Sequence, residues 1–259
     1  MKKLRLSIVL LLLLGGLSCK KTDSGTTTTS ISTDQAADMV AGSLSVNSEG
    51  FATVADDIAT NAQIVNSVSF STKSVNSLGT NAVYQECGTT RIDSVDRAGA
   101  SNLVTYDYFF KYSHTLNCNA NSQPDNLVNT LTFNGNYDGP RLSVTGTGTA
   151  NITIAGLTST ATVFVINGEY QRTGSFQSKV GNKASGNSVI DIKATNVTLS
   201  KPARKITGGT ATISITGTWP KGAFSYTGTI KFNGDSTATV TINGTIYLVN
   251  LVTGVATKS

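Results

Sequence analysis

The sequence predicts an all-β protein: an antiparallel meander that closes into a barrel or a strongly curled sheet, with a β-sandwich as the alternative. From about residue 80 to residue 259 the chain is rich in Thr, Val, Ile, Gly and Tyr and shows no helical periodicity. Apolar and polar residues alternate there, as in Thr212-Ile213-Ser214-Ile215, which is typical of strands with one face on a core and one in water. Counting such segments gives about eight to eleven strands.

Asn-Gly pairs supply the expected turns, because this dipeptide accepts the positive φ that a two-residue hairpin turn requires. The predicted turns are Asn134-Gly135, Asn167-Gly168, Asn233-Gly234 and Asn243-Gly244. The last of them predicts three opposite pairs: Ile242 with Thr245, Val240 with Tyr247, and Ala238 with Val249. A slip of one residue would bury a row of threonines, so this register is well specified.

A short helical segment, residues 34–79, precedes the β domain of residues 80–259. Ser32 and Gln35 form a capping-box pattern. Apolar residues then recur every three or four positions in two stretches, which predicts two short helices that dock on the sheet or plug one end of a barrel. The adjacent acids Asp56 and Asp57 point about 100° apart on the second helix, so we expect an exposed polar face there rather than a catalytic dyad.

The first nineteen residues form a separate signal. Lys2, Lys3 and Arg5 precede an apolar run from Leu6 to Leu14, and small residues lead to Cys19. A charged start, a short apolar core and small residues before a cut are typical of a secretory signal. With the cysteine at the cut, this segment resembles a Gram-negative bacterial lipoprotein signal, whereas the β domain resembles no known family.

That resemblance implies removal of residues 1–18 and attachment of acyl chains to Cys19, which then holds the protein on a membrane. Residues 19–33 are polar and unpatterned and are expected to form a flexible tether that reaches about 20 Å. Lys20 stands where the lipoproteins retained at the inner membrane have an aspartate. The expected location is therefore the outer membrane, on its periplasmic or its surface face.

The cysteine count agrees with this interpretation. If lipid occupies Cys19, then Cys87 and Cys118 remain as one possible disulfide. A secreted protein lies in an oxidising compartment, where such a bridge persists.

Charge excludes a nucleic-acid binder. Loss of Lys2, Lys3 and Arg5 leaves 17 of the 20 basic residues against 15 acidic ones, whereas nucleic-acid binding needs a dense basic patch. The nearest basic group is Lys201, Arg204 and Lys205, which we interpret as a solvated strand edge. The sequence carries no signal for a particular oligomeric state.

Candidate catalytic and cofactor residues are few. His114 is the single histidine and no Gly-x-Ser-x-Gly elbow accompanies it, so we expect it on a strand near the rim. Asp93 and Asp96 are expected to flank a turn, without a calcium-loop pattern. We therefore predict no cofactor, no metal site and no enzyme activity.

One aromatic cluster stands out. Tyr106, Tyr108, Phe110 and Tyr112 share one face of a predicted strand. Such a stripe can bind a sugar or an apolar ligand, or it can pack under the two helices. Trp219, beside Pro220, is expected at the rim.

Together these features predict a non-catalytic envelope lipoprotein that acts as a binding or structural module for a protein, a glycan or a surface. A carrier of an apolar ligand in a β cavity is the alternative. An envelope enzyme of unknown type is the third possibility.

Overall fold

The computed structural model describes residues 31–66 and 86–259. Two helices come first: α1 (Thr33–Leu44) and α2 (Phe51–Asn66), with a short 3-10 helix at Val46–Ser48 between them. Eleven strands follow: β1 (Thr90–Ala100), β2 (Thr105–Cys118), β3 (Pro124–Asp138), β4 (Leu142–Ala155), β5 (Val163–Ser178), β6 (Ser185–Ser200), β7 (Ile206–Trp219), β8 (Gly222–Phe232), β9 (Thr237–Ile242), β10 (Thr245–Asn250) and β11 (Ala256–Lys258). No helix within the described ranges is both long enough and apolar enough to cross a membrane.

Each strand pairs antiparallel with the next one, so the eleven strands form one meander sheet in sequence order. The predicted antiparallel β fold with a short helical segment is confirmed. The two-sheet sandwich is wrong, because every strand belongs to the same sheet. Closure into a barrel is not supported, because among the described residues no pairing joins β1 to the strands at the opposite edge; a curled, open sheet fits.

The curl follows from the contacts of α1. This helix contacts β4 and β6 and also β9, β10 and β11. A helix is about 10 Å wide, so strands as far apart in the sheet as β4 and β11 can contact the same helix only if the sheet wraps around it. The two helices therefore lie on the concave face of the sheet, and the core lies between them and the strands.

A row of glycines allows the sheet to bend. Gly135 lies opposite Gly146, and Gly146 lies opposite Gly174 on the next strand. A Cβ atom at Gly146 would lie 2.2 Å from the carbonyl oxygen of Thr173, so the neighbouring backbones approach more closely there than any side chain permits. Glycines at such positions are typical of strongly curved sheets.

Glycines inside strands explain two wrong turn predictions. Asn134-Gly135 lies inside β3, and Asn167-Gly168 forms a bulge in β5, where Gly168 has a φ of 146°. Both glycines serve a strand, through close approach or positive φ, rather than a turn. The other two pairs lie in connections, and Asn243-Gly244 produces the predicted hairpin register for all three of its opposite pairs.

The helices begin as the sequence predicts. Ser32 caps α1, its hydroxyl accepting from the Gln35 backbone N–H while the Gln35 side chain accepts from the Ser32 N–H. Every residue of α1 from Gln35 to Leu44 is buried, which is typical of a helix enclosed on all sides.

Ile31 is 0% exposed, so residues 31–33 belong to the folded body and the tether ends earlier than predicted. The predicted signal, most of the tether and residues 67–79 of the helical segment lie outside the described residues.

Alternate connections of a meander lie at the same end of the sheet. We call the end that carries 101–104, 139–141, 179–184, 220–221 and 243–244 the entry end, because α1 starts there: Gln35 bonds to Asn182 with a nitrogen–oxygen distance of 2.7 Å. We call the opposite end the disulfide end. It contains Cys87 and Cys118.

Candidate functional site

The predicted aromatic stripe lies on the concave face of β2. Tyr108, Phe110 and Tyr112 are 1%, 0% and 1% exposed, and Tyr106 is half-buried. The ring centroids of Phe110 and Tyr112 are 6.0 Å apart, and Phe110 also packs 5.5 Å from Phe133 on β3. The stripe contacts α2 through Tyr112, whose hydroxyl donates to Asp57. These rings thus form part of the core beneath the helices, and a ligand would reach them only after α2 moved.

His114 continues this face and is fully buried rather than placed at the rim, so that expectation is wrong. Its Nδ1 lies 2.6 Å from Asn129 Oδ1, and its Nε2 lies 3.1 Å from Asn61 Nδ2 on α2. Arg91 donates to Asn61 Oδ1, which leaves the Asn61 amide nitrogen to donate to His114. Because Nε2 must then accept, the proton lies on Nδ1 and the imidazole is neutral.

The surroundings of His114 favour this neutral form. Burial lowers its pKa, and the nearby charge of Arg91 lowers it further, while the bond to Asn129 and the charge of Asp93 act in the opposite direction. If His114 were protonated on Nε2, that hydrogen would point at the amide hydrogens of Asn61, which cannot accept it. Asp93 Oδ2, 3.5 Å away, is the acceptor within reach of that proton.

We expect His114 to make stability depend on pH. Its folded pKa lies below its ordinary value of 6.5, so its contribution is present above pH 6.5 and is lost as pH falls through the folded pKa, at no more than about 1.4 kcal/mol per pH unit. Urea-unfolding midpoints of the wild type should fall more steeply than those of His114→Gln between about pH 7.5 and about pH 5.5. Parallel curves for the two proteins would contradict this assignment.

A second polar group lies on the same face, nearer the entry end. Arg97 on β1 donates to Glu49 Oε2 over 3.0 Å and to Asp57 Oδ1 over 2.5 Å. Both carboxylates are 5% exposed. Asp57 therefore does not lie on an exposed helix face, which corrects that prediction, whereas Asp56 stays half-exposed and pairs with Arg204.

The charges of this group depend on one another. Burial raises the pKa of Glu49, and Arg97 partly offsets that rise. Burial alone would lower the pKa of Arg97, but the hydrogen bond and charge of Asp57 and the charge of Glu49 raise it above its ordinary value. Burial also raises the pKa of Tyr112, and the charge of Asp57 raises it further, so Tyr112 stays a donor to Asp57.

Asp93 and Asp96 do not flank a turn, since both lie inside β1. Asp93 is on the concave side, 2.7 Å from Arg91, and Asp96 is on the outer side. Arg91, Asp93 and Arg97 occupy alternate positions of this edge strand and face α2. Charges that point inward from an edge strand are one way in which proteins prevent edge-to-edge association.

Helix α1 is fixed by its own polar contacts. Arg172 on β5 is 3% exposed and donates to the carbonyl of Gly42 over 3.0 Å, and its guanidinium lies 5.3 Å from the Tyr108 ring centroid. Burial lowers the pKa of Arg172 to about 10. Arg141 bonds to the buried Asp38 over 2.7 Å. Together these contacts hold the first helix in the concave face.

Cys87 and Cys118 form the predicted disulfide. Cys87 precedes β1 and Cys118 ends β2, so the bond closes the β1–β2 hairpin at the disulfide end. A bond that joins residues 31 positions apart stabilises the fold by restricting the unfolded chain.

The convex face of the sheet is polar in its middle strands, whereas the exposed side chains of Ile92, Phe109, Ile246 and Leu248 lie on it nearer the two edges. Gln171, Asp191 and Ser214 lie side by side on three strands: Gln171 Nε2 is 2.6 Å from Asp191 Oδ1, and Ser214 Oγ is 3.2 Å from Asp191 Oδ2. Lys193 pairs with Glu169 beside them at 2.8 Å. A shallow groove runs between Thr149 on β4 and this cluster. Such amide, carboxylate and hydroxyl groups can exchange hydrogen bonds with a protein or a glycan.

Two predicted surface features lie at opposite ends. Trp219 ends β7 at the entry end, half-buried, with Lys221 Nζ 5.4 Å from its ring centroid. Lys201 and Arg204 lie at the disulfide end, but they bond to the protein itself: Lys201 to the carbonyl of Thr158 and Arg204 to Asp56.

Sequence reasoning missed Arg97, Arg172 and the two asparagines that bond to His114. The alternation of Arg91, Asp93 and Arg97 is a signal that could have placed charges on the inner face of β1. Nothing local in the sequence indicates that Asn61 would meet His114, because the two residues lie on elements that only the fold brings together.

Within the part of the chain that the structure describes, no group of three or more His, Cys, Asp or Glu side chains could hold a metal ion. Cys19 lies outside the described residues. No protein-family model, no curated protein and no solved structure matches this chain.

Proposed function

We propose that this chain is an acylated envelope lipoprotein of the outer membrane, held through Cys19, whose β domain is a non-catalytic binding or structural module. The observation that carries the second part of the proposal is that the chain's own helices fill the concave face of the sheet. The surfaces left for a partner are the convex face and the connections. The signal of residues 1–19 carries the first part.

The convex face supports recognition of a polar partner. Gln171, Asp191 and Lys193 present an amide, a carboxylate and an amine on adjacent strands. The strands hold these groups at fixed spacing, and rigid elements position binding groups more accurately than loops do. A protein or glycan surface rich in hydrogen-bonding groups is the partner that this chemistry fits.

A carrier of an apolar ligand would need the concave face to be empty. In this fold a ligand would have to displace α1 and α2, and with them the contacts of Arg97 and Arg172 with the helices. Mass spectrometry of lipid extracted from the purified protein separates the two functions, because a carrier yields a bound lipid beyond the acyl chains on Cys19.

Cys19→Ser is expected to abolish acylation. In cells fed an alkyne palmitate, the wild-type protein should carry the label and sediment with membranes, whereas Cys19→Ser should lose the label. The matched control is the double variant Cys87→Ser/Cys118→Ser, which should keep the label if the protein accumulates. A label that persists in Cys19→Ser, or a wild-type amino terminus without acyl chains, would refute the proposed anchoring.

A further inference from the structure

The path of α1 shows where the chain enters the body. The helix starts at the entry end, where Gln35 bonds to Asn182 and Asp38 to Arg141. Its last turn stays near that end, since Gly42 approaches Leu142 at the start of β4. The residue after the helix, Ser45, approaches Gly254, which lines the same pocket as Arg141. The described part of the chain therefore begins at the entry end.

The connection between Cys19 and the body is short. Residues 20–30 separate Cys19 from Ile31, and a chain of that length has a root-mean-square reach of about 20 Å. Strand β5, with 16 residues, is about 50 Å long. Acylation at Cys19, which this inference takes from the proposed function, therefore holds the entry end nearer the bilayer than the disulfide end.

The connections of the entry end have the chemistry of a membrane-facing surface. Their charged residues are all basic: Arg141, Lys179, Lys183 and Lys221. Arg141 pairs with Asp38 and Lys179 with Asp138. The connections of the disulfide end are mixed instead, since Glu86 and Asp235 accompany their three basic residues.

Apolar and amphipathic side chains accompany these charges. Leu103 is 71% exposed at the tip of the β1–β2 connection, and Trp219 lies beside Lys221. The Nε1 atom of Trp219 is buried, so the exposed part of this side chain is the apolar ring, and tryptophan rings are enriched at the headgroup level of membranes. Lysine near a bilayer is attracted to anionic lipids.

We propose that the entry end rests on an anionic phospholipid surface, with Lys183 and Lys221 among the headgroups and Trp219 at their level. The strands then extend away from the membrane surface, and the disulfide end lies farthest from it. The convex face stays open to a partner from the side.

The single tryptophan makes this orientation measurable. The acylated full-length protein is reconstituted into vesicles of phosphatidylethanolamine and phosphatidylglycerol that contain a lipid with a nitroxide on its headgroup. Trp219 should lose most of its fluorescence. The matched control, Trp219→Phe/Thr160→Trp, places the tryptophan in an exposed connection of the disulfide end and should keep most of its fluorescence.

The outcomes distinguish the two proposals. Equal quenching of both proteins, or none of Trp219 while the acylated protein floats with the vesicles, would overturn the orientation and leave the anchor intact. A protein that neither floats nor carries acyl chains would refute the proposed function itself. The double variant Lys183→Gln/Lys221→Gln, or vesicles of neutral phosphatidylcholine, should reduce quenching, and unchanged quenching in both would overturn the role of the anionic headgroups.

Discussion

Gly146→Ala is expected to destabilise the protein by about 3 kcal/mol, since forcing an atom into a packed site costs of this order. The new Cβ would lie 2.2 Å from the Thr173 carbonyl oxygen and 2.8 Å from the Gly174 Cα. Both neighbours are backbone atoms of a paired strand, so neither can rotate away. The sheet would have to flatten at the row of glycines, which would weaken its contacts with α1. Urea unfolding, monitored by circular dichroism, measures the loss of stability.

Gly208→Ala is the matched control. A Cβ atom at Gly208 would meet its nearest neighbour, the Thr198 hydroxyl, at 3.4 Å, which is an ordinary contact. This variant should unfold close to the wild-type midpoint. If Gly146→Ala were as stable as Gly208→Ala, the row of glycines would not be the source of the curl.

Arg97→Met should also be strongly destabilising, by about 3–5 kcal/mol, as is typical when one partner of a buried ion pair is removed. The change leaves Glu49 and Asp57, each 5% exposed, without their shared cation. Burial raises the pKa of Glu49, and without Arg97 to offset that rise its carboxyl group would protonate more readily. The loss measured by urea unfolding should therefore be smaller at acidic pH than at neutral pH.

Two further variants make this prediction specific. Adding Glu49→Gln and Asp57→Asn to Arg97→Met should recover part of the loss, because the unpaired charges are removed. Lys193→Met breaks a pair whose members are 63% and 66% exposed, and exposed pairs contribute little, so it should scarcely move the midpoint. An Arg97→Met protein as stable as Lys193→Met would show that the buried network does not hold α2.

Local patterns predicted much of the fold. Ser32 and Gln35 are three residues apart, and the cap they form needs no other part of the chain. Asn243-Gly244 fixes the register of the last hairpin in the same way, since turn and strands are adjacent. Period-two alternation identifies strands because β2 to β10 each have one buried and one wet face.

Residues whose partners are distant in the chain were the ones predicted wrongly. Asn134-Gly135 has the composition of a turn, and only the approach of the neighbouring strands makes it a mid-strand glycine. Asp57 and His114 are residue types common on protein surfaces, but the packing of α2 against β1 and β2 buries both of them. Charge and hydrogen-bonding capacity are visible in a sequence, whereas the partner that makes burial tolerable is not.

The β class, the strand alternation and the capped first helix could be predicted from the sequence alone, because each depends on neighbours along the chain. A count of thiols left Cys87 and Cys118 only as one possible pair, and the bond between them is seen in the structure. Three features are seen only in the tertiary structure. The sheet is open, it curls around the helices, and arginine side chains bond to those helices. Local sequence patterns could not predict these features, because curvature and buried charge depend on contacts between residues that are far apart in the chain.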